Sequence, residues 1–208
     1  MRIIRKMKPE DNASMAKIIV DVLTEYGYRD SQSGGYDIDN LPDRISDLYG
    51  FIQKEGGVYF VIEDTETQRI LGGGGFRPNA ASLKYSNANR FFSQDLINRS
   101  CALEKLYFLP ELRGQGFGLK ILEEIQAAAI EKGYSSIYAG TEPNLKQAQS
   151  LYKKAGFIQL ETTRKNSVCF LKALKNMPVM KPGTETGDEK DCNSETSIQS
   201  VCARTQAA

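Results

Sequence analysis

The chain has 208 residues, which suffice for one α/β domain with an appendage but leave little room for two domains with separate cores. Its 27 Lys and Arg residues nearly balance its 26 Asp and Glu residues, so the formal net charge of +1 gives no general attraction to nucleic acid or to an acidic membrane. Histidine is absent, which excludes Ser-His-Asp and Cys-His catalysis and argues against a zinc site.

The first six residues are basic but are not followed by an apolar segment. No apolar run in the sequence approaches the ~20 residues that span a bilayer. These features predict a cytoplasmic protein that binds neither a membrane nor nucleic acid and that holds no metal.

Residues 9 to 27 predict an amphipathic helix, because Pro9 suits a first turn, Gly27 suits a C-terminal cap, and apolar residues recur at helical spacing between them. A short strand is expected before this helix, around Ile3 and Ile4. After a loop rich in Ser, Gly and Asp, residues 41–54 predict a second helical segment.

Two antiparallel strands are predicted at residues 58–62 and 70–76, on either side of a polar turn. The second strand contains four consecutive glycines, Gly72 to Gly75. Glycines that cradle a phosphate usually lead into a helix, whereas Phe76-Arg77-Pro78 follows here. We therefore predict that these glycines allow close backbone approach within the sheet.

Residues 79–100 are mostly polar, with Phe91 and Phe92 as the chief apolar pair, and they form a longer connection than is usual between two strands. Two interpretations remain open. The segment is either a loop that covers a substrate or a mobile insertion that contains a short helix.

The next part of the chain predicts a strand, a Gly-rich turn, a helix, a strand and a helix, followed by two short strands. Asn144 is expected to open the second of these helices as its N-cap. The expected ranges are 101–109, 113–118, 119–132, 136–141, 144–156, 157–161 and 168–171.

Beyond Leu174 the composition becomes polar, with too few large apolar residues to offset the entropy of ordering. We predict one domain at residues 1–174 and a disordered tail at 175–208. The cysteines have no paired metal-ligand spacing, so we expect buried or unreactive thiols at Cys101, Cys169, Cys192 and Cys202.

A Gly-rich turn between a strand and a helix can bind a pyrophosphate, because its backbone N–H groups point at the ligand and the helix dipole adds partial positive charge. Arg113 can reinforce such a site. Any tight strand-to-helix turn also favours glycine, so the pattern alone does not establish a phosphate site. A dinucleotide Rossmann site is disfavoured, because its glycine turn follows the first strand of its unit and an acidic residue lies about 20 residues further on.

The segment 106–118, LYFLPELRGQGFG, resembles the signature of the GNAT superfamily, in which a strand leads into an Arg/Gln-x-x-Gly-x-Gly/Ala pyrophosphate loop. Arg113, Gly116 and Gly118 occupy the defining positions. Residues 144–157 are similar to the family's C-terminal helix, with the matching residues Ala148, Leu151, Tyr152, Gly156 and Phe157.

This resemblance covers residues 2–174 and departs in the 79–100 insertion and in the tail. It implies an α/β (α+β) fold, the GNAT fold, with a mixed, mostly antiparallel sheet of about six to seven strands and helices on both faces. In that fold the strand ending near Leu109 is bulged and splays from the strand near Ile137. It further implies an N-acetyltransferase whose co-substrate, acetyl-CoA, places its pantetheine in that opening.

The resemblance also implies which residues bind acetyl-CoA. The backbone of Leu106, Tyr107 and Phe108 would bond the pantetheine amides and polarise the thioester carbonyl. Asn144 would line the CoA side. The pyrophosphate would be held by Arg113, Gly114, Gln115, Gly116, Phe117 and Gly118.

An acceptor ammonium with a pKa of about 10.4 is neutral roughly once in a thousand near pH 7, so a base or a water chain must remove its proton. Glu104, on the strand that runs toward the expected site, is the candidate base, and a merely exposed sheet carboxylate is the alternative. Tyr152 matches the family tyrosine that can protonate the departing CoA thiolate. Its position also suits core packing.

Three functions remain open: acetylation of a small-molecule amine, acetylation of a protein or peptide acceptor, and acyl-CoA binding without catalysis. Tyr28, Tyr36 and Tyr49 could line an acceptor pocket or could pack locally. The sequence does not identify the acceptor, and it leaves a homodimer open.

Overall fold

The computed structural model describes residues 1–28, 35–78 and 81–174, with the side chains of 81 and 82 excepted. The predicted tail at 175–208, with Cys192 and Cys202, lies outside the described residues.

The described residues alternate between strands and helices in the predicted order. The strands are β1 (Arg2–Lys6), β2 (Val58–Asp64), β3 (Arg69–Arg77), β4 (Ser100–Phe108), β5 (Ser136–Thr141), β6 (Ile158–Leu160) and β7 (Val168–Ala173). The α-helices are α1 (Asn12–Glu25), α2 (Asp43–Ser46), α3 (Leu48–Lys54), α4 (Gln94–Asn98), α5 (Phe117–Glu131) and α6 (Lys146–Lys154). Short 3₁₀ turns occur at Pro9–Asp11, Ala81–Tyr85, Ala88–Arg90 and Pro110–Leu112.

The seven strands form one sheet in the order β1-β2-β3-β4-β5-β7-β6. Neighbouring strands are antiparallel except for β4 and β5, which run parallel. The prediction of a mixed, mostly antiparallel sheet is therefore confirmed. The parallel pair extends only over Ser100–Ala102 and Ser136–Tyr138, so the two strands separate beyond these residues.

Helices cover both faces of the sheet, as predicted. On β2, Phe60 and Ile62 point into a core shared with α5 and α6, whereas Tyr59 and Val61 point into a core shared with α1, α2 and α3. This division follows from the alternation of side chains along a strand.

The glycine run of β3 lies between two neighbouring strands that approach it closely. A Cβ atom on Gly72 would lie 2.6 Å from the carbonyl oxygen of Tyr107 in β4, and one on Gly75 would lie 2.3 Å from that of Val58 in β2. Such contacts are far shorter than van der Waals distances. The prediction of close backbone approach is confirmed, and the run does not lead into a helix.

The 79–100 insertion packs against the sheet over its described part. Leu83, Ala88, Phe92 and Leu96 are buried in a third cluster with residues of β4 to β7. The predicted short helix is α4, whose N-cap Ser93 accepts a hydrogen bond from the Leu96 amide. None of residues 83–100 lines the cleft described below, so the structure does not support the substrate-covering interpretation for this part.

Two predicted helices have different bounds in the structure. The segment 41–54 is divided into α2 and α3 at Asp47, whose carboxylate accepts from the Gly50 amide at 3.0 Å and caps α3. Helix α6 begins at Lys146, two residues after the predicted N-cap Asn144. Asn144 instead belongs to a tight turn, in which its carbonyl accepts a hydrogen bond from the Lys146 amide at 2.9 Å.

The thiols of Cys101 and Cys169 are buried and form no disulfide, which confirms the prediction for these two residues. Burial raises the pKa of Cys101 to about 12, so this thiol stays protonated and unreactive near neutral pH. Within the part of the chain that the structure describes, no helix is both long enough and apolar enough to cross a membrane.

Candidate active site

A cleft of about 490 Å³ opens where β4 and β5 separate. Its walls come from β4, β5 and α6, and its rim from Tyr28, Tyr36 and the loop between β6 and β7. The cleft therefore lies in the gap that the resemblance predicted between the two parallel strands.

A β-bulge shapes the β4 wall of this cleft. Glu104 pairs with Gly75 and Tyr107 with Gly73, so two residues of β4 lie opposite the single residue Gly74. Lys105, one of these two residues, has a left-handed φ of 51°. The Tyr59 hydroxyl of β2 donates to the Lys105 carbonyl at 2.6 Å and so holds the bulge in place.

The alternation of peptide groups decides which part of β4 faces the cleft. The Leu109 amide donates to the Leu71 carbonyl of β3 at 2.9 Å, so in this register the peptide groups of Tyr107 also face β3. Those of Leu106 and Phe108 consequently face the opening. Of the predicted backbone contacts, Leu106 lines the cleft with its peptide groups toward the opening, and Tyr107 lines it with its peptide groups toward β3. Phe108 is not a lining residue, and its carbonyl accepts from the Arg113 Nε.

The Gly-rich turn lies between the end of β4 and the first turn of α5. Gly114 and Gly116 have left-handed φ angles of 74° and 80°, which glycine adopts without strain. Among the described residues, none accepts a hydrogen bond from the amides of 114–118. These free donors at a helix N-terminus form a site suited to an anion.

Two further residues of the turn have structural contacts. A Cβ atom on Gly118 would lie 3.0 Å from the side chain of Leu151, so this glycine lets α5 approach α6. The Gln115 side chain accepts from Arg2 and donates to the Glu111 carbonyl at 2.7 Å, which fixes the outer edge of the turn. Phe117 is the first residue of α5.

Arg113 lies at the turn, but its guanidinium is already engaged. Its Nε donates to the Phe108 carbonyl at 3.1 Å, and its two terminal nitrogens donate to Glu25, at the end of α1, at 2.6 and 2.7 Å. The hydrogen bond with Glu25 raises the pKa of Arg113, and that with Arg113 lowers the pKa of Glu25. A carboxylate thus occupies the donors that were predicted to bind pyrophosphate.

Glu104 lines the cleft, and its side chain is 15% exposed, so the exposed-carboxylate interpretation does not describe it. Its Oε1 accepts from the Arg77 Nε at 2.7 Å. Its Oε2 lies 3.9 Å from the Lys105 Nζ and accepts no hydrogen bond from a described residue. One carboxylate oxygen is therefore held by an ion pair while the other is available to the cleft.

Tyr152 projects from α6 into the wall of the cleft and is also part of the core. Its ring packs against Phe157 and Phe170, with centroids 5.5 and 5.4 Å apart. Burial raises the pKa of Tyr152 well above its ordinary value of 10.0, so the phenol stays protonated. The hydroxyl forms no hydrogen bond with a described residue, and it is therefore free to act on a ligand.

Asn144 is not among the residues that line the cleft, and its side chain bonds the rim residue Tyr28. Tyr36 also lies on the rim, whereas Tyr49 packs locally beside α1. The sequence analysis did not single out the other charged residues of the cleft, because no motif surrounds them. They are Arg77, Lys105, Glu142, Arg164 and Lys165.

Comparison with known proteins agrees with this architecture. The family model for the acetyltransferase (GNAT) family matches residues 21–157. The chain is 30% identical over 159 residues to the uncharacterized N-acetyltransferase YjgM of Escherichia coli K12, a match that covers 76% of this chain and 83% of YjgM. It is 40% identical over 58 residues to thialysine N-epsilon-acetyltransferase of Bos taurus, but this match covers 28% of the chain and 34% of the bovine protein.

Solved structures with low sequence identity share the fold. An acetyltransferase of the GNAT family from Staphylococcus aureus Mu50 has a TM-score of 0.66 at 17% identity, covering 84% of this chain and all of that protein. A phosphinothricin acetyltransferase from Sinorhizobium meliloti, solved in complex with AcCoA, has a TM-score of 0.62 at 16% identity, covering 89% of this chain and 94% of the other. The family match and the bacterial relative together show that the chain belongs to the GNAT family of N-acetyltransferases and is an acyltransferase.

Proposed function

We propose that the protein transfers an acetyl group from acetyl-CoA directly to the nitrogen of a primary amine. The observation that carries this proposal is the continuity of the cleft with the Gly-rich turn: the open edge of β4 ends at Phe108, and the Phe108 carbonyl is bonded to Arg113 of the turn. An extended pantetheine arm along β4 would join a pyrophosphate at the turn to a thioester in the cleft.

Backbone groups supply the binding and part of the catalysis in this proposal. The peptide groups of Leu106 and the amide of Phe108 would bond the pantetheine and donate to the thioester carbonyl, while the Phe108 carbonyl stays bonded to Arg113. A preorganised donor of this kind stabilises a developing oxyanion by about 3 kcal/mol. The free amides of 114–118 and the dipole of α5 would hold the pyrophosphate.

Transfer begins when the neutral amine attacks the thioester carbonyl carbon and forms the C–N bond. Collapse of the tetrahedral intermediate breaks the C–S bond, and the sulfur leaves with the electron pair. Tyr152 would donate its proton to that sulfur, because its phenol is protonated, lines the cleft and has no described partner. The proton lost by the ammonium would pass to Glu104, directly or through water, at the unbonded Oε2.

Two other functions are tested by the same experiments. An acyl-CoA-binding module without catalysis would bind acetyl-CoA but would release no thiol with any acceptor. A protein or peptide acceptor is the other alternative to a small amine. The partial similarity to a thialysine acetyltransferase supports the small amine, because that relative is named for a small amino acid.

The first experiment is calorimetric titration with acetyl-CoA, followed by thiol release with a panel of amines, amino acids and peptides. Acceptor-dependent release supports the transferase. Binding with no release across the panel would favour the non-catalytic module, and failure to bind acetyl-CoA would contradict the proposal.

Replacing Tyr152 with Phe tests the general acid. We expect kcat to fall about 10²-fold with little change in the Kd of acetyl-CoA, because only proton transfer to the thiolate is lost. Tyr49→Phe is the matched control, since Tyr49 packs beside α1 and lies outside the cleft lining. Turnover by the Tyr152 variant equal to that of the control would remove this residue from the mechanism.

Replacing Glu104 with Gln tests the base. We expect kcat/KM for the amine to fall about 10²-fold, because Gln keeps the hydrogen bond to Arg77 but accepts no proton. Glu55→Gln is the control, since Glu55 also pairs with Arg77, at 3.7 Å, without lining the cleft. If the two variants behave alike, water rather than Glu104 removes the proton.

A further inference from the structure

The charged side chains that line the cleft are mostly basic, whereas a purely cationic acceptor would be bound better by an excess of acidic ones. Among the described residues that line it, four are basic and two are acidic; they are Arg77, Lys105, Arg164 and Lys165 against Glu104 and Glu142. A cleft with an excess of one sign concentrates ligands of the opposite sign. This excess therefore favours an acceptor that carries negative charge as well as an amine.

The ion pairs around Glu104 show which of these cations are neutralised. Arg77 is engaged by Glu104 at 2.7 Å and by Glu55 at 3.7 Å. Lys105 has a single described ion pair, the 3.9 Å contact with Glu104, which is too long for a hydrogen bond. The Lys105 side chain is 20% exposed, so it is largely buried in the cleft wall, and its ammonium donates no hydrogen bond to a described residue.

The position of Lys105 is set by the backbone rather than by a flexible loop. The bulge gives this residue a φ of 51°, and the Tyr59 hydroxyl anchors its carbonyl. A non-glycine residue in this conformation is costly and is usually retained where the surrounding structure requires it. The fold thus holds an ammonium beside Glu104, next to the place where the reacting amine is proposed to lose its proton.

The loop between β6 and β7 supplies the second cationic group. Arg164 and Lys165 lie on the rim, and Asn166 turns the chain with a left-handed φ of 54°. The Arg164 guanidinium lies over the Tyr85 ring, 5.7 Å from its centroid. Lys165 is exposed and has no ion pair with any described residue, so its charge is available at the entrance of the cleft.

We propose that the acceptor is a small amine with an anionic group close to it, of the amino-acid type, whose anion is bound by Lys105 and Lys165 while its ammonium faces Glu104. This inference rests on the proposed function and specifies its substrate class. Separate charges of both signs in one cleft match a zwitterion, whereas a polyamine or a lysine-rich peptide would meet four cations.

The test compares amines that differ only in the anionic group. The probes are alanine, 1-aminoethylphosphonate and ethylamine, together with lysine and cadaverine, and the measurement is kcat/KM from thiol release with acetyl-CoA saturating. The amino groups of these probes differ in pKa, so different fractions of them are neutral at a given pH, which alone biases their relative rates. The diagnostic quantity is therefore how a substitution changes the preference, because the intrinsic reactivity of each probe then cancels.

We expect Lys105→Gln and Lys165→Gln each to reduce the preference for the anionic probe about tenfold, through a higher KM, because a charge-assisted hydrogen bond is lost. Glutamine removes the charge but keeps a polar side chain that is only one atom shorter, and like lysine it is a non-glycine residue at the strained φ of position 105. Lys132→Gln is the matched control, since Lys132 is an exposed lysine at the end of α5, away from the cleft. Equal loss for alanine and for the phosphonate would identify charge as the recognised property, and loss for alanine alone would identify the carboxylate.

Two results overturn this inference while the proposed function stands. One is acetylation of ethylamine or cadaverine at least as efficient as that of the matched amino acid at equal free-amine concentration. The other is a preference for anionic probes that persists in both lysine variants. Binding of acetyl-CoA without thiol release for any probe would instead contradict the proposed function itself. The Lys165 variant, on an exposed loop, keeps the test valid if Lys105→Gln fails to fold.

Discussion

The contact between Glu25 and Arg113 predicts that this carboxylate competes with the pyrophosphate of acetyl-CoA at the proposed binding site. Glu25 accepts two hydrogen bonds from the terminal nitrogens of Arg113, at 2.6 and 2.7 Å, which is how a phosphate would be expected to bind the same guanidinium. The incoming pyrophosphate must displace this carboxylate to use Arg113. Replacing Glu25 with Gln should therefore tighten acetyl-CoA binding.

The size of this effect follows from the exposure of the pair. The side chains of Glu25 and Arg113 are 43% and 25% exposed, so solvent screens the pair, and we assign it about 0.5–1 kcal/mol. Removing the competing carboxylate should lower the Kd of acetyl-CoA about two- to fivefold. The pair is fully formed above the ordinary pKa of 4.5 for Glu25 and is lost as the pH falls through the lowered folded pKa. Near neutral pH, Glu25 is therefore ionised and competes with the pyrophosphate for Arg113.

The assay is calorimetric titration with acetyl-CoA at pH 7 and low salt. Glu111→Gln is the matched control, because this substitution removes the same charge beside the same turn. The Glu111 carboxylate pairs with Arg69 at 3.1 Å and forms no ion pair with Arg113 among the described residues. Tightening by Glu25→Gln beyond that of the control supports the competition. If the Glu25 variant binds no more tightly than the control, or binds more weakly, Glu25 orients Arg113 instead of competing for it, and the reasoning is refuted.

Two predictions concern stability, each measured by urea unfolding. Gly75→Ala should lower the free energy of unfolding by about 3 kcal/mol, because the new Cβ would lie 2.3 Å from a backbone carbonyl oxygen. Gly118→Ala should lower it by only about 1 kcal/mol, because the neighbouring atoms belong to a side chain that can move, and equal losses in the two variants would contradict this explanation. Asp11→Asn should cost about 2–3 kcal/mol at pH 7, because the buried carboxylate accepts from Arg5 at 2.7 and 2.9 Å and from the Lys8 amide at 2.8 Å. Burial opposes ionisation of Asp11, but these hydrogen bonds outweigh burial and lower its pKa below 3.8. The difference in unfolding free energy between wild type and variant should therefore persist down to about pH 3.8 and shrink as the pH falls through the folded pKa, and a difference independent of pH would contradict its ionic origin.

Local sequence was sufficient for most elements of the fold. Apolar periodicity and terminal glycines predicted α1 and α5 to within a few residues, and the polar turn between two β-rich runs predicted the hairpin of β2 and β3. Predictions were less accurate where a side chain intervenes locally. Asp47 breaks one helical segment by capping α3, and the turn at Asn144 delays the start of α6, because a hydrogen bond within a few residues can override helical propensity.

The Gly-rich turn and Tyr152 could be identified from the sequence, because a free-amide turn and a motif helix are properties of contiguous residues. The resemblance implied a bulge in β4, but its position at Lys105 and the ion pairs of Glu104 could not be identified, since they join residues of β2, β3 and β4 that are distant in the chain. The engagement of Arg113 by Glu25 joins residues 88 positions apart and is equally invisible to a motif.

The sequence by itself determined the family, the order of the elements and the turn suited to pyrophosphate, because these depend on short-range patterns. Tertiary structure alone decided which peptide groups of β4 face the cleft, through the register of β4 against β3, and which charges line that cleft, through the approach of the β6–β7 loop to β4. Register and long-range side-chain pairing arise from the packing of the whole sheet, so no local pattern encodes them.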